Sequence, residues 1–240
     1  MAKRRGGPGK SSKSLGKKIS GIAIKVFLWF LMVSVLWVVA YRFINPPITL
    51  LMIERNISRK ADGKPFKTEK KWVKFVNISD HMKRAAVSAE DQLFLHHMGF
   101  DIKAIEKAYE SNGHSKRVKG GSTISQQTAK NVFLWPGRSW VRKGFEAYFT
   151  LLIEIFWSKS RIMEVYLNVI EMGDGIYGAE AASQAYYGKS CKSMTRSQAA
   201  LLAACFPNPL RWTPKKPTKY INHRKYLIMR NMRRLGTLDF

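Results

Sequence analysis

The sequence predicts a mainly α-helical domain carried on a single N-terminal transmembrane helix. Three observations indicate this class: a long apolar run near the N-terminus, frequent helix-start and helix-stop signals after it, and few runs of alternating apolar and polar residues. About 195 residues follow the apolar run, which is enough for one domain with an ample core. We therefore expect a basic tail over residues 1–18, a transmembrane helix over 19–44 and one folded domain over 45–240.

The apolar run extends from Ile19 to Ala40 and is interrupted only by Lys25 and a few small residues. Its 22 residues rise about 1.5 Å each and span about 33 Å, enough to cross a hydrocarbon core of about 30 Å. Seven Lys or Arg and no acid precede it in residues 1–18, so the positive-inside rule predicts a cytoplasmic N-terminus and a periplasmic domain. No small-residue cleavage site follows, which favours an uncleaved anchor over a signal peptide.

The charge balance points to an anionic partner. The chain has 42 Lys and Arg against 16 Asp and Glu, a formal net charge of +26. Such a surplus suits nucleic acid, acidic lipid headgroups or a phosphate-bearing substrate, and a domain outside the cytoplasm argues against nucleic acid. The five histidines show no H-E-x-x-H or comparable ligand spacing, so no metal site is predicted.

The first chemically informative stretch is a carboxylate pair, Glu90-Asp91. Ser88 lies three residues before Asp91, a spacing close to a capping box, which predicts a helix beginning at this point. Glu90, Phe94 and His97 would then share one helix face and line a cleft. An ordinary amphipathic helix with a core phenylalanine and solvated acids explains the pattern equally well.

The second stretch begins with the glycine pair 120–121. Thr123 and Gln126 then have capping-box spacing, and the free backbone N–H groups of such a helix start form an anion site. One face of this helix would carry three hydrogen-bonding side chains, Gln127, Lys130 and Asn131. A capped helix with a polar outer face is the alternative, and the absence of a P-loop pattern gives nucleotide binding little support.

The third stretch lies on a long helix predicted from about Ser139 to Trp157. Arg142 and Lys143 are four and three residues before Glu146, so one turn places two cations around a carboxylate. A surface ion-pair cluster would have the same spacing and would stabilise the fold by well under about 1 kcal/mol.

Further helices are predicted toward the C-terminus. They are a helix ending at residues 164–168, a small-residue helix over 181–188, a helix capped by Thr195 and Gln198, and a last helix over about Thr218 to Leu235. The two cysteines, Cys191 and Cys205, could pair in an oxidising compartment, although the apolar helical position of Cys205 favours a buried thiol.

Five blocks, in order and with consistent spacing, resemble the peptidoglycan glycosyltransferases of family 51, and in particular their monofunctional type in Gram-negative bacteria. The resemblance covers roughly residues 70 to 210. The blocks are Glu90-Asp91-x-x-Phe94-x-x-His97-x-Gly99, then Gly120-Gly121-Ser122-Thr123-Ile124-x-Gln126-Gln127-x-x-Lys130-Asn131, then Arg142-Lys143-x-x-Glu146-Ala147, then Lys159-x-x-Ile162-x-Glu164-x-Tyr166-Leu167-Asn168 with Gly173-x-Gly175, and Ala199-Ala200-Leu201-Leu202-Ala203.

The resemblance implies a lysozyme-like glycosyltransferase fold and the polymerisation of lipid II. The growing glycan on undecaprenyl pyrophosphate would be transferred with inversion to the 4-hydroxyl of lipid II. Glu90 would be the general base, and Glu146 would orient nearby cations or assist departure through a bound divalent ion. The residues expected to bind the substrate or its pyrophosphate are Asp91, Phe94, His97, Thr123, Gln127, Lys130, Asn131, Arg142 and Lys143.

The resemblance requires no cofactor, although it leaves open a divalent cation, Mg or Mn. The implied partners are lipid II, polyprenyl-pyrophosphate-linked glycan and inner-membrane lipids, with cell-division or penicillin-binding proteins as further candidates. The sequence has no K-T-G, and its S-x-x-K at Ser14 to Lys17 lies in the basic tail, so we expect glycan strands that are not crosslinked.

Two other functions fit part of the sequence. A membrane-anchored lytic transglycosylase would also use a glutamate in a mostly helical domain, but cleaving a neutral glycosidic bond needs no cationic cluster. A non-catalytic scaffold of cell-wall synthesis would need neither Glu90 nor Glu146.

Overall fold

The computed structural model describes residues 10–103, 105–106, 110, 121–137 and 139–240 of the protein. Its helices are α1 (Lys10–Phe43), α2 (Leu50–Ala61), α3 (Asp80–Glu90), α4 (Ile124–Phe133), α5 (Trp140–Phe156), α6 (Lys159–Val169), α7 (Ala179–Tyr187), α8 (Arg196–Ala204) and α9 (Lys219–Arg234). Short 3₁₀ helices occupy Phe75–Asn77 and Cys191–Ser193. The predicted mainly α-helical class is confirmed.

Helix α1 contains the membrane anchor. Its segment Ser20–Phe43 is long and apolar enough to cross a membrane, and most of it is exposed on the protein. The helix ends at Phe43, just before Pro46 and Pro47, whose rings cannot continue it. The apolar segment coincides with the predicted span, and residues 1–9 of the predicted tail lie outside the described part of the chain.

The folded domain is built from two groups of helices that meet at the candidate site. In one group α4 packs against α5 and α6, and in the other α3 and α9 pack against α8. The rings of Phe133 on α4 and Phe149 on α5 stack with centroids 4.8 Å apart. Because α3 ends beside the beginning of α4, the residues at that junction come from both groups.

A small sheet braces α2 against the rest of the domain. Strand β1 (Glu69–Lys70) pairs in parallel with β3 (Ile176–Tyr177), which pairs antiparallel with β2 (Glu171–Gly173). Gly175 turns between β2 and β3 with φ +69°, and a Cβ there would lie 2.8 Å from the carbonyl oxygen of Lys67. Arg55 of α2 binds both carboxylate oxygens of Glu171, with Nη2 3.0 Å from Oε2.

Glu90 lies at the end of a helix, whereas the sequence predicted that it lies at the beginning of one. The sequence predicted a helix starting near Ser88, whereas α3 begins after Ser79, whose hydroxyl accepts the Met82 N–H at 3.1 Å, and ends at Glu90. Asp91 is not helical, with φ −160° and ψ 82°, and its carboxylate binds residues further along the chain, not the turn that follows it. Glu90, Phe94 and His97 therefore do not share a helix face, and this prediction is wrong.

The other predicted helix boundaries are confirmed. Thr123 and Thr195 each form a reciprocal capping box with the residue three positions later. Helix α5 is flanked by Ser139 and Trp157, and α9 by Thr218 and Leu235.

The two cysteines are separate buried thiols. The Sγ of Cys191 donates to the carbonyl of Asn77, and that of Cys205 to the carbonyl of Leu201, each at 3.5 Å. Burial raises the pKa of Cys191 to about 12 and that of Cys205 to about 11, so both thiols stay protonated near neutral pH. The predicted buried thiol at Cys205 is confirmed.

Candidate active site

Glu90 is the half-buried last residue of α3 and lines a pocket of about 330 Å³, which is named here the acid pocket. Gln127 of α4 donates from Nε2 to Glu90 Oε2 at 2.9 Å, and the buried Tyr166 hydroxyl donates to Gln127 Oε1 at 3.4 Å. This chain fixes the amide of Gln127 with its nitrogen toward Glu90. Within the described residues Glu90 Oε1 has no hydrogen-bond partner, so it can accept a proton from a bound molecule.

The surroundings of Glu90 raise its pKa. Removal of the carboxyl from water is the largest cause, while the hydrogen bond from Gln127 and the charges of Arg224 and Lys130 act in the opposite direction. The nearby carboxylate of Asp91 raises the pKa further. A raised pKa makes the carboxylate a better proton acceptor, which suits a general base.

Arg224 is a part of this site that the sequence did not indicate. It lies on α9, and its Nε donates to the carbonyl of Ala204 at 3.2 Å, which directs the side chain across the end of α8. Only the packing of α9 against α3 and α8 brings its charge near Glu90, so no local spacing could have revealed it.

Asp91 holds the acid pocket together. Its Oδ1 lies 2.9 Å from His97 Nε2, and its Oδ2 accepts the Ile124 N–H, the first of α4, at 3.0 Å. His97 Nδ1 accepts the Gly99 N–H at 3.1 Å, so the imidazole proton resides on Nε2 and is donated to Asp91. The polar atoms of Asp91 and His97 are therefore engaged within the protein and position the junction between α3 and α4.

Phe94 and Thr123 also lie inside the structure. Phe94 is fully buried, and Lys159 Nζ lies 4.6 Å from the centroid of its ring. The Thr123 hydroxyl donates to the carbonyl of Gly99 at 2.7 Å and caps α4. A side chain at Gly99, where φ is +83°, would meet Thr150 Cγ2 at 2.7 Å, so this turn requires glycine.

A buried ion cluster lies on α5 and α4, and it is named here the cationic cluster. Arg142 Nη1 is 3.4 Å from Glu146 Oε2, and Lys143 Nζ binds Glu146 Oε1. Glu146 is 3% exposed and Arg142 is 9% exposed, which excludes the surface ion-pair alternative. Burial lowers the pKa of Lys130, as do the charges of Arg142 and Lys143, while Glu146 and Glu90 raise it.

The cationic cluster contains more positive than negative side chains. Lys130, Arg142 and Lys143 surround the single carboxylate of Glu146. Within the described ranges Lys130 Nζ has no hydrogen bond or ion pair, and Arg142 Nε is buried without a hydrogen-bond partner. Cationic donors that are left without partners favour an anionic ligand.

A second pocket, named here the cationic pocket, has a volume of about 510 Å³. Lys130, Asn131 and Arg142 line one side, and residues 51–55 of α2 and 134–137 line another. Gln127, which contacts Glu90, precedes Lys130 by three residues on α4, a rise of about 4.5 Å. The predicted base therefore contacts α4 at Gln127, about one helical turn from Lys130.

The residues around Glu146 do not fit a divalent cation. Both carboxylate oxygens already contact positively charged side chains. In the part of the chain that the structure describes, no group of three His, Cys, Asp or Glu residues could hold a metal ion.

The fold and the site define a membrane-anchored helical enzyme with a carboxylate beside a pocket lined by Lys130 and Arg142. The transglycosylase family model matches residues 56–233. The chain is 46% identical over 217 residues to a biosynthetic peptidoglycan transglycosylase of Pseudomonas fluorescens, covering 90% of each chain. It is 50% identical over 206 residues to the biosynthetic peptidoglycan transglycosylase of Caulobacter vibrioides, covering 86% of this chain and 87% of the relative. It is 48% identical over 212 residues to the biosynthetic peptidoglycan transglycosylase of Stutzerimonas stutzeri, covering 88% of each chain.

The chain belongs to the transglycosylase family. The resemblance inferred from the five sequence blocks is therefore confirmed. The matched region includes the whole lining of the acid pocket and all of the cationic pocket except its residues on α2, Leu51, Glu54 and Arg55.

Proposed function

We propose that the protein polymerises peptidoglycan glycan strands by transferring the growing glycan from undecaprenyl pyrophosphate to the 4-hydroxyl of lipid II. The names of its relatives support the peptidoglycan substrate. One observation carries the mechanism: Glu90, which has one oxygen without a partner among the described residues, contacts α4 through Gln127, beside a cluster with three cations and one carboxylate. A base and an anion site in contact suit displacement of a phosphate leaving group.

In the proposed reaction, Glu90 Oε1 accepts the proton of the 4-hydroxyl while that oxygen forms a bond to C1 of the donor sugar. The bond from C1 to the pyrophosphate oxygen breaks, and its electron pair leaves with the pyrophosphate. Attack on the face opposite an α-linked leaving group gives a β-linked product, so configuration inverts. Glu90 ends the step as a neutral carboxylic acid.

The cationic cluster would stabilise the charge that grows on the leaving group. Arg142 and Lys143 are held in place by their ion pairs with Glu146, so they need little rearrangement during the reaction. Preorganised donors of this kind contribute about 10²- to 10³-fold each. No step requires a divalent cation, and none requires a transpeptidase site.

The membrane anchor supports a substrate that is itself held in a membrane. We place the N-terminus in the cytoplasm and the catalytic domain in the periplasm at the inner membrane, because the seven basic residues precede the span. A reporter enzyme fused after Phe240 should be active only in the periplasm. Activity of that fusion in the cytoplasm would overturn both the orientation and the lipid II assignment.

The decisive assay incubates the detergent-solubilised protein with labelled lipid II and digests any polymer with lysozyme. We expect a polymer that lysozyme cleaves to small fragments. If the protein instead fragments preformed glycan strands and ignores lipid II, it is a lytic transglycosylase. If it does neither, the scaffold alternative is favoured.

A further inference from the structure

The cationic pocket has a second charged wall, on helix α2. Leu51, Glu54 and Arg55 line this wall, and their spacing of three and four residues places them on one face of the helix. Helix α2 packs against α4, which carries Lys130 on the other wall. Together with Arg142, the described lining therefore contains three cations and the single carboxylate of Glu54.

Arg55 is held in place by only one edge of its guanidinium group. Its Nε lies 3.1 Å from Oε1 of Glu171, and its Nη2 lies 3.0 Å from Oε2. Nη1 has no hydrogen-bond partner within the described part of the chain. The side chain of Arg55 is 35% exposed, whereas that of Glu171 is 7% exposed. Arg55 is thus fixed at the edge of the pocket and retains the N–H donors of Nη1 for a ligand.

The other arginine of α2 is arranged differently. Arg59 follows Arg55 by one helical turn, and its Nη1 lies 2.7 Å from Oδ2 of Asp174. Its Nε donates to the carbonyl of Pro65 at 2.9 Å. Arg59 does not line the cationic pocket. The same helix therefore carries one arginine whose Nη1 is used within the protein and one, beside the pocket, whose Nη1 has no partner among the described residues.

We infer that Arg55 is a specificity-determining residue of the cationic pocket, where Nη1 donates to the second phosphate of a pyrophosphate whose first phosphate contacts the cationic cluster. This inference rests on the proposed function, because that function supplies a ligand with two linked phosphates. A monophosphate can contact the cations of one wall, whereas a pyrophosphate can contact donors on both. Arg55 would therefore distinguish a pyrophosphate from the monophosphate of an ordinary phospholipid.

The test measures binding of inorganic pyrophosphate and of inorganic phosphate to the detergent-solubilised full chain by calorimetry. Wild-type protein should bind pyrophosphate at least about tenfold more tightly than phosphate, because only pyrophosphate reaches both walls. In Arg55→Gln, the affinity for pyrophosphate should fall about tenfold, the effect of one lost hydrogen bond to a charged group. The affinity for phosphate should change by less than about twofold. No pyrophosphate binding by the wild type, no loss in the variant, or an equal loss for both ligands would overturn the inference.

Variants of Glu171 separate ligand binding from folding. Arg55→Gln leaves the nearly buried Glu171 without its cation, which destabilises the fold. A double variant, Arg55→Gln with Glu171→Gln, removes both charges and should bind pyrophosphate as weakly as Arg55→Gln. Glu171→Gln alone keeps Arg55 and removes an anion that competes for it, so pyrophosphate should bind at least as tightly as in wild type. Recovery of binding in the double variant, or equal losses in the two single variants, would show a purely structural role and overturn the inference.

Arg59→Gln is the matched control, because it removes an ion-paired arginine from the same helix outside the pocket. It should bind both ligands as wild type does. A polymerisation assay with lipid II then distinguishes the two proposals. Arg55-dependent selection of pyrophosphate by a protein that does not polymerise lipid II would overturn only the proposed function. Polymerisation by a protein that binds pyrophosphate and phosphate equally would keep that function and overturn the role of Arg55.

Discussion

Glu90 and Glu146 are two carboxylates that both raise the pKa of the same side chain, Lys130, yet their surroundings are opposite. Glu90 ends α3, receives a hydrogen bond from the neutral amide of Gln127 and keeps one oxygen without a partner among the described residues. Glu146 lies within α5, is nearly inaccessible to solvent and contacts a cation with each oxygen. The two carboxylates thus differ in their exposure and in the groups that they contact.

The difference explains which carboxylate can react. A proton acceptor needs an accessible oxygen, and a raised pKa makes it a better acceptor; the pKa of Glu90 is raised mainly by burial. A carboxylate between two cations, like Glu146, instead fixes their positions for a ligand. The comparison therefore supports the proposed roles, with Glu90 in proton transfer and Glu146 holding the cationic cluster.

The largest effect should follow from Glu90→Gln. The substitution keeps the shape of the side chain but removes the proton acceptor, and a positioned base contributes roughly 10²- to 10⁴-fold. Polymerisation of labelled lipid II should fall by that factor, while circular dichroism stays unchanged. Glu69→Gln, an exposed carboxylate outside both pockets, is the matched control. Wild-type turnover by correctly folded Glu90→Gln protein would exclude Glu90 as the base.

Removing a cation should give the next largest effect. Lys130→Ala and Arg142→Ala should each slow polymerisation by about 10²- to 10³-fold, because each removes a charge that stabilises the leaving group. Lys130→Ala is the cleaner test, since it leaves Glu146 with both of its ion pairs. Lys64→Ala, which disrupts an exposed ion pair with Asp62, should change the rate by less than about twofold. Rates near wild type in both cluster variants would refute the role of the cluster.

The smallest effect concerns the pH dependence that Gln127 sets. Its hydrogen bond lowers the pKa of Glu90, so Gln127→Ala should raise that pKa further. The base would then be protonated at higher pH, and the acid limb of the kcat/KM profile should move to higher pH. The rate on the alkaline plateau should fall by no more than about tenfold, the effect of one lost hydrogen bond to a charged group. A shift toward lower pH would contradict the assigned hydrogen bond.

Tyr166→Phe gives the graded version of the same measurement. The variant retains Gln127 but frees its amide from the Tyr166 hydroxyl, so the pH profile should shift in the same direction by a smaller amount. An identical profile for the wild type and both variants would mean that another group sets the acid limb.

The sequence predicted the features that short-range interactions determine. The capping box of Thr123 with Gln126 and the bounds of α5 depend on residues three or four positions apart, and both are present. The same reasoning failed at Glu90, because the Ser88 and Asp91 spacing was overridden by long-range bonds of Asp91 to Ile124 and His97.

For the same reason, the sequence predicted some residues of the site and missed others. Spacing and resemblance identified Glu90, Lys130 and Glu146, but they could not show that Glu146 is buried. The charge of Arg224 lowers the pKa of Glu90 only because α9 packs against α3 and α8. Burial and contacts between distant helices are properties of the folded chain, and single-sequence patterns do not contain them.

Hydrogen bonds and ring contacts join the anchor helix α1 directly to the folded domain. Trp157 Nε1 donates to the Val38 carbonyl at 2.8 Å, and the ring of Trp37 lies 5.2 Å from that of Phe133. Arg161 also donates to the carbonyls of Tyr41 and Ile44, so α1 is fixed along its final turns. These contacts oppose rotation of the domain about its anchor. Under the proposed function, they would keep the acid pocket at a similar height above the bilayer, so that each new sugar would be added at the same level.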